Sequence, residues 1–416
     1  MLYNDSKIFL DTYLAIYRKN MTPGAVISYG TLNYHETVAL GSITDDSDIL
    51  TTKDTYYDLA SVTKLFTSIS IQILSRKGLI DLNKPVTYYL PEFSNLSNIT
   101  IFQLLTFTVP VKTEGRIDKA NDKDEAEKIL KTVSFNKNDN GNRPYTDIGA
   151  MVLKYVIEKV TGKTFYEFVN ENILVPSNMN STKVNFDNSE LVNLAPTGGN
   201  GFYYKDGNYR INNVNLGECY DEKARIMGQK EGILSGHAGL FSTANDMTNL
   251  AICLLNEQIL NGDELVHMAD NYTGNMAKGI QYLGKLCYSK NPVQVDSEIY
   301  HPLSGRSFAS AGWTGTQLTI DPDNKIFYSL LSNRSNNRMT FIDDSKKGFV
   351  GTTLWGKKVI TLPNGKEMID ASKFAWDRDE DLVYPAIDLA IKLSFLEEIY
   401  NIKDQDLVYK IRRIEK

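Results

Sequence analysis

The sequence predicts an α+β fold whose ends mix helix with strand and whose middle is mostly helical. β-rich runs with turn residues lie near the start, at 24–42, and again at 316–334. Between them, apolar residues recur at the 3–4 spacing of helices. No internal repeat is present, and 416 residues are enough to bury one large core or two interlocked ones.

In order along the chain, residues 5–20 place Ile8, Phe9, Tyr13, Leu14 and Tyr17 on one helical face. "GAVISYG" and "HETVALGS" are β-rich and separated by a short turn, which predicts a hairpin. A helix is expected from Ser61, where Leu65, Ile69, Gln72, Ile73 and Arg76 follow a 3–4 spacing and Gly78 closes the run. The polar segment 112–143 is expected to hold one short helix at 125–132 between exposed loops. "DIGAMVLKYVIEKVTG" reads as a helix ended by Gly162, with helical signals to about 180 and loops beyond. Ser242 or Thr243 can cap the helix of "STANDMTNLAICLLNEQIL". "DPDNK" supplies the hairpin turn of "TQLTIDPDNKIFYSLLSNR", and "PAIDLAIKLSFLEEIY" reads as a last helix.

Composition narrows the function. A hydrophobic content of 42% with 23% charge is that of a globular protein, and the net charge of −6 is spread along the chain. No basic surface is marked out, so neither nucleic acid nor anionic lipid is an expected partner. No stretch approaches the roughly 20 apolar residues of a transmembrane segment. The first residues lack a basic region followed by an apolar one, so the chain reads as cytoplasmic as it stands, or extracellular if a leader has been removed. Cys219, Cys253 and Cys287 are odd in number and widely spaced, and read as unpaired core thiols. The oligomeric state is left open.

Candidate chemistry centres on "DLASVTK". A helix brings residues i and i+3 onto one face, so Ser61 and Lys64 point the same way. A serine in a first helical turn sits beside unpaired N–H groups that favour developing negative charge. Its hydroxyl becomes a nucleophile when a neighbour takes its proton, which a lysine of lowered pKa can do. The plainer alternative is an N-cap serine and a solvated lysine.

The wider context, "YYDLASVTKLFTSISIQILSRKGLIDLNKPVTYYLPEFSNLSNITIFQLLTFT", resembles the serine β-lactamase-like and penicillin-binding superfamily, most closely its class C and esterase branch. In that family Ser-x-x-Lys opens a long helix followed by the two segments found here, with Phe107 in place of a histidine. The family's second motif, Tyr-x-Asn or Tyr-Ser-Asp before a helix, matches Tyr145 and Asp147 in "RPYTDIGAMV". "GECYDEKARIMGQKEGILSGHAGLFSTANDM" resembles a further stretch, with Tyr220 where histidine is common. The third motif falls on Ser310, Ala311 and Gly312 in "FASAGWTGTQLTIDP".

The resemblance covers about residues 5–334 and implies a β-lactamase-like architecture. In it a discontinuous α/β region (1–60 and 231–416), an antiparallel sheet flanked by the N- and C-terminal helices, meets a mainly helical region (61–230) within one catalytic domain, with the active site in the cleft between. It also implies roles. Ser61 would be acylated, with Lys64 and Tyr145 sharing the proton transfers. The backbone N–H groups of Ser61 and Trp313 would form the oxyanion hole, and Asp147 would hydrogen-bond Lys64 or the substrate.

Two departures bear on specificity. Ser310 and Ala311 stand where Lys-Thr or His-Thr is usual, removing a cation and a hydroxyl that help hold a substrate carboxylate. A charge-assisted contact of that kind contributes about 1.5–3 kcal/mol. Arg306 is a nearby substitute in sequence, although an exposed arginine is the plainer reading. Asp147 favours the ammonium form of Lys64 and moves proton transfer toward Tyr145. Other patterns are set aside. "VTGKT" at 160–164 lacks the first glycine of a phosphate-binding loop, which would fall on Ile157. "GRSFA" at 305–309 is not followed by a helix. His35, His237, His267 and His301 have no metal-ligand spacing. His237 reads as structural.

The expectation is a serine hydrolase working through an acyl-Ser61 intermediate, without cofactor or metal, on a small-molecule or peptide-like acyl substrate. The substrate class implied is a peptidoglycan-related or D-amino-acid ester or amide, with little or no β-lactamase activity. An acyltransferase, or a binding or sensing homologue without turnover, are the alternatives.

Overall fold

The computed structural model describes residues 22–44, 47–137, 145–198, 214–273, 282–290, 299 and 303–337, with the backbone of short strands at 202–205, 208–211, 339–341, 359–361 and 367–370. The helices expected at 5–20 and 385–400, and His301, lie outside these residues.

Strands β1 (Gly24–Thr31), β2 (His35–Gly41), β3 (Tyr288–Ser289), β4 (Phe308–Gly312), β5 (Thr316–Asp321) and β6 (Ile326–Ser332) form a six-stranded sheet in the order β2-β1-β6-β5-β4-β3. Every pairing is antiparallel. The expected hairpins are the β1–β2 and β5–β6 pairs. Their join is tertiary: β1 lies between β2 and β6, so that Val26 opposes both Ala39 and Leu331. The β-branched and aromatic residues of β5 and β6 are buried at every position, so both faces of these strands are covered.

The helical part is built on α1 (Thr63–Arg76), α2 (Lys123–Lys131) and α3 (Asp147–Thr161), while α4 (Ala244–Leu255) packs on β1, β5 and β6. A 3₁₀ turn, Ala60–Val62, precedes α1, so Ser61 sits just before the α-helix and not within it. The apolar spacing predicted one buried face, yet α1 is buried on all sides from Thr63 to Leu74. Its polar residues are tolerated because they find partners. The Thr67 hydroxyl donates to Gly236 O at 2.6 Å, and the Ser70 hydroxyl to Phe66 O at 2.7 Å. Leu65, Phe66 and Ile69 join Val152 and Val156 of α3 in the core. Each such fully buried side chain contributes about 1.5–3 kcal/mol.

Thr146 caps α3 by accepting from Ile148 N at 3.2 Å, and Gly162 ends it in the left-handed conformation at φ 69°. This start places Tyr145 and Asp147 at the same level as the first turn of α1. Thr243 caps α4, while Ser242 shares a hydrogen bond of 2.7 Å with Thr182. Among regions read as loops, 202–205 and 208–211 pair as a ribbon, as do 111–112 and 134–135. Such short strands in polar segments carry little periodicity to read. All three cysteines are buried and unpaired.

Candidate active site

Ser61 is held from both sides. Before it, Tyr57–Asp58 pairs with Phe241–Ser242, and Ala60 takes a left-handed φ of 44°. That conformation is strained for a residue with a Cβ and persists only where its surroundings fix it. The buried Asp58 carboxylate does so, accepting from Ala60 N at 2.8 Å and from Tyr220 N at 2.6 Å. On the sheet side, Thr314 Oγ1 donates to Asp58 O at 2.6 Å, and Thr316 Oγ1 to Leu59 O at 2.9 Å. Gly312, at the end of β4, is seated on this turn. A Cβ there would lie 2.4 Å from Leu59 O and 3.3 Å from the Ala60 side chain. Trp313 therefore follows directly on a close approach of the sheet to the Ser61 turn. Its side chain is exposed, and its carbonyl accepts from Arg334 Nε at 3.0 Å.

Lys64 is fully buried, and its ammonium donates to Ser61 Oγ at 2.8 Å and His237 O at 3.3 Å. Asp147 Oδ1 lies 2.7 Å from the same nitrogen, and the Tyr145 ring centroid 4.9 Å from it. Burial opposes the charge on Lys64. The Asp147 carboxylate, followed by Tyr145, outweighs burial and holds the ammonium above the ordinary lysine range. Conversely, burial would raise Asp147, but Lys64, Lys223 and His237 hold its carboxyl well below the usual range. Tyr145 is fixed by stacking on Phe107 (5.0 Å between centroids, 22° between planes) and on Tyr288 of β3 (5.8 Å, 13°). Phe107, where the sequence resemblance leads one to expect histidine, is itself buried at a positive φ of 58°.

The structure thus brings Ser61, Lys64, Tyr145, Asp147 and Gly312 together. Ser310 is buried and, two residues from Gly312, shares the face of β4 that meets the Ser61 turn. Arg306 does not join them. It precedes β4 at the end far from Gly312, exposed, and is ion-paired with Asp323. His237 is buried, with Nε2 2.9 Å from Asp221 Oδ1 and Nδ1 3.2 Å from Ser235 Oγ.

Sequence reasoning missed Asp58, Asp221, Lys223 and Arg334. The signal for Asp58 was a lone acid in an apolar run beside Ser61. For Asp221 and Lys223 it was the charged "YDEK" inside a matched stretch. Lys223 Nζ lies 2.9 Å from Asp221 Oδ2 and 3.2 Å from Asp147 Oδ2. Asp147, Asp221 and His237 bring ligand-type atoms within 4.8 Å of one another, but the Lys223 ammonium already bridges the two carboxylates and supplies the positive charge a metal would bring.

A family model described as Beta-lactamase matches residues 23–349. A protein of Escherichia coli K12, provisionally named a D-alanyl-D-alanine carboxypeptidase, is 26% identical over 327 residues, covering 71% of this chain and 73% of that one. An N-acetylmuramyl-L-alanine amidase of Bacillus subtilis is 27% identical over 328 residues, covering 71% and 72%. Among solved structures, EstCE1, a hydrolase with promiscuous acyltransferase activity, superposes with a TM-score of 0.59 at 15% identity, covering 79% of this chain and 93% of that one.

Proposed function

The chain belongs to the beta-lactamase family, and from that premise we propose that it is a serine hydrolase that forms an acyl-enzyme on Ser61. One observation carries this reading: the buried Lys64 ammonium lies 2.8 Å from Ser61 Oγ and within reach of Asp147 and Tyr145. Lys64 and Tyr145 manage the proton of Ser61, and the N–H groups of Ser61 and Trp313 receive the oxyanion. Asp147 fixes Lys64, while Ser310 and Gly312 form the sheet-side wall. The relatives' names point to peptidoglycan-related esters or amides as the substrate class. The uncharged Ser310 and Ala311 favour substrates without a carboxylate beside the scissile bond.

The reading is tested by a fluorophosphonate label followed by intact mass. We expect one adduct on the wild type, none on Ser61→Ala, and loss of short-chain aryl ester hydrolysis in that variant with the fold intact. If the alanine variant keeps more than about a tenth of the rate, the nucleophile lies elsewhere.

A further inference from the structure

Five charged or titratable groups run in a line behind Ser61: Lys64, Asp147, Lys223, Asp221 and His237. Asp147 divides its oxygens, with Oδ1 2.7 Å from Lys64 Nζ and Oδ2 3.2 Å from Lys223 Nζ. Asp221 does the same, with Oδ2 2.9 Å from Lys223 Nζ and Oδ1 2.9 Å from His237 Nε2. His237 closes the line on the Lys64 side, since its carbonyl accepts from Lys64 at 3.3 Å. Lys223 stands at the centre, bonded to both carboxylates.

We propose that Lys223 is a positioning residue that divides the charge of Asp147 with Lys64, and so sets how readily the Lys64–Tyr145 pair releases the proton it must lose before Ser61 is acylated. The inference rests on the functional reading above. A carboxylate held by two ammonium groups binds each less firmly than it would bind one. The positive charge of Lys223 also disfavours a second cation close by, so both effects act in the same direction. Removing Lys223 would leave Asp147 wholly to Lys64 and make the ammonium harder to deprotonate. The charges facing Lys223 are Asp147 and Lys64 from the helical side, Asp221 from its own segment, and His237 from the loop before Phe241. Beyond Asp221 lie Asp58 and Arg225, which act on one another and are not bonded to Lys223.

The test follows the rate of fluorophosphonate labelling against pH, read by intact mass. In this reaction the Ser61 Oγ–P bond forms, the P–F bond breaks and fluoride leaves. The serine proton passes to the deprotonated member of the Lys64–Tyr145 pair. The rate therefore rises along an acid limb that reports loss of a proton from that pair. In Lys223→Met the limb should move to higher pH by about one unit, with labelling at neutral pH slowed about tenfold. Lys223→Arg, which keeps the charge, should restore most of the wild-type profile. In an Asp147→Asn background the same Lys223→Met change should move the limb by less than half as much, because the shared carboxylate is gone.

A slower Lys223→Met with an unmoved limb would show a merely structural role and overturn the inference. So would an equal shift with and without Asp147. Failure of the wild type to label at any pH would instead overturn the functional reading on which the inference rests.

Discussion

Burial works against the charge on Lys64 while Asp147 and Tyr145 work for it, and at this residue the partners win. The consequence for chemistry is specific. With the ammonium held above the ordinary range, Lys64 is a donor to Ser61 Oγ, and under the proposed function it would have to give up a proton before it could take one from the serine. Replacing Asp147 by Asn removes the charge 2.7 Å from Lys64 Nζ but keeps a similar shape. Because a nearby carboxylate raises a lysine's pKa, its removal lowers that pKa. The acid limb of the kcat/KM profile for an aryl ester should then move to lower pH. An unchanged limb would mean that Asp147 does not govern the lysine. The Ser61–Lys64 pair was legible in the sequence because it is local, three positions apart at a helix start. Asp221 and Lys223 were not, because their meeting with Asp147 joins segments more than seventy residues apart, and no local pattern encodes it.

The turn that presents Ser61 is an element with its own energetics. Asp58 holds it by accepting two backbone N–H groups, one from Ala60 and one from the Tyr220 segment. Burial, reinforced by Asp221 and opposed by those hydrogen bonds and Arg225, pushes its carboxyl up to about 6 from an ordinary 3.8. The sign follows from the native state binding the proton more tightly than the unfolded chain. This contribution to stability is fully present below about pH 4 and is lost as pH rises through about 6, to a total on the order of 3 kcal/mol. Asp58→Asn cannot titrate, so the stability of wild type relative to this variant should fall by that order between pH 4 and 7.5 in urea unfolding. The variant also places an NH₂ group where an oxygen accepted, against either Ala60 N or Tyr220 N. Its Ser61 labelling should therefore be about tenfold slower throughout. A stability gap independent of pH would show that the carboxylate is not held under strain. Elements differed in how far the sequence disclosed them. The β1–β2 and β5–β6 hairpins and helices α1 and α3 carry their own turn and cap residues. The burial of α1 on every side, and the strained φ of Ala60, come from what packs around them.

At the scale of the whole molecule, the sheet joins an early segment to one some three hundred residues later, through β1 against β6, and so carries β4 against the turn that holds Ser61. The order of motifs along the chain suggested this meeting through resemblance, whereas the β1–β6 register bridges some three hundred residues and is not written in either strand alone. The arrangement bears on which substrates the proposed site would favour. Positions 310 and 311 of β4 carry no cation, and the two arginines closest in sequence to that strand's ends are engaged. Arg306 is ion-paired with Asp323 away from the site, and Arg334 donates to the carbonyls of Trp313 and Gly312, at 3.0 and 3.4 Å. A substrate carboxylate beside the scissile bond would lose a contact of about 1.5–3 kcal/mol, roughly one to two powers of ten in kcat/KM. Uncharged esters should therefore react measurably faster than penicillins, cephalosporins or peptides ending in free D-Ala-D-Ala, compared as kcat/KM on the wild-type protein. Introducing Ser310→His with Ala311→Thr should raise kcat/KM for the carboxylate substrates about tenfold while changing the neutral esters far less. Because Ser310 is buried, folding of the double variant is checked first by its thermal midpoint. The wild-type comparison carries the argument if the variant unfolds. Efficient β-lactam turnover by the wild type would overturn it, since recognition of the carboxylate would then have to come from a group outside β4.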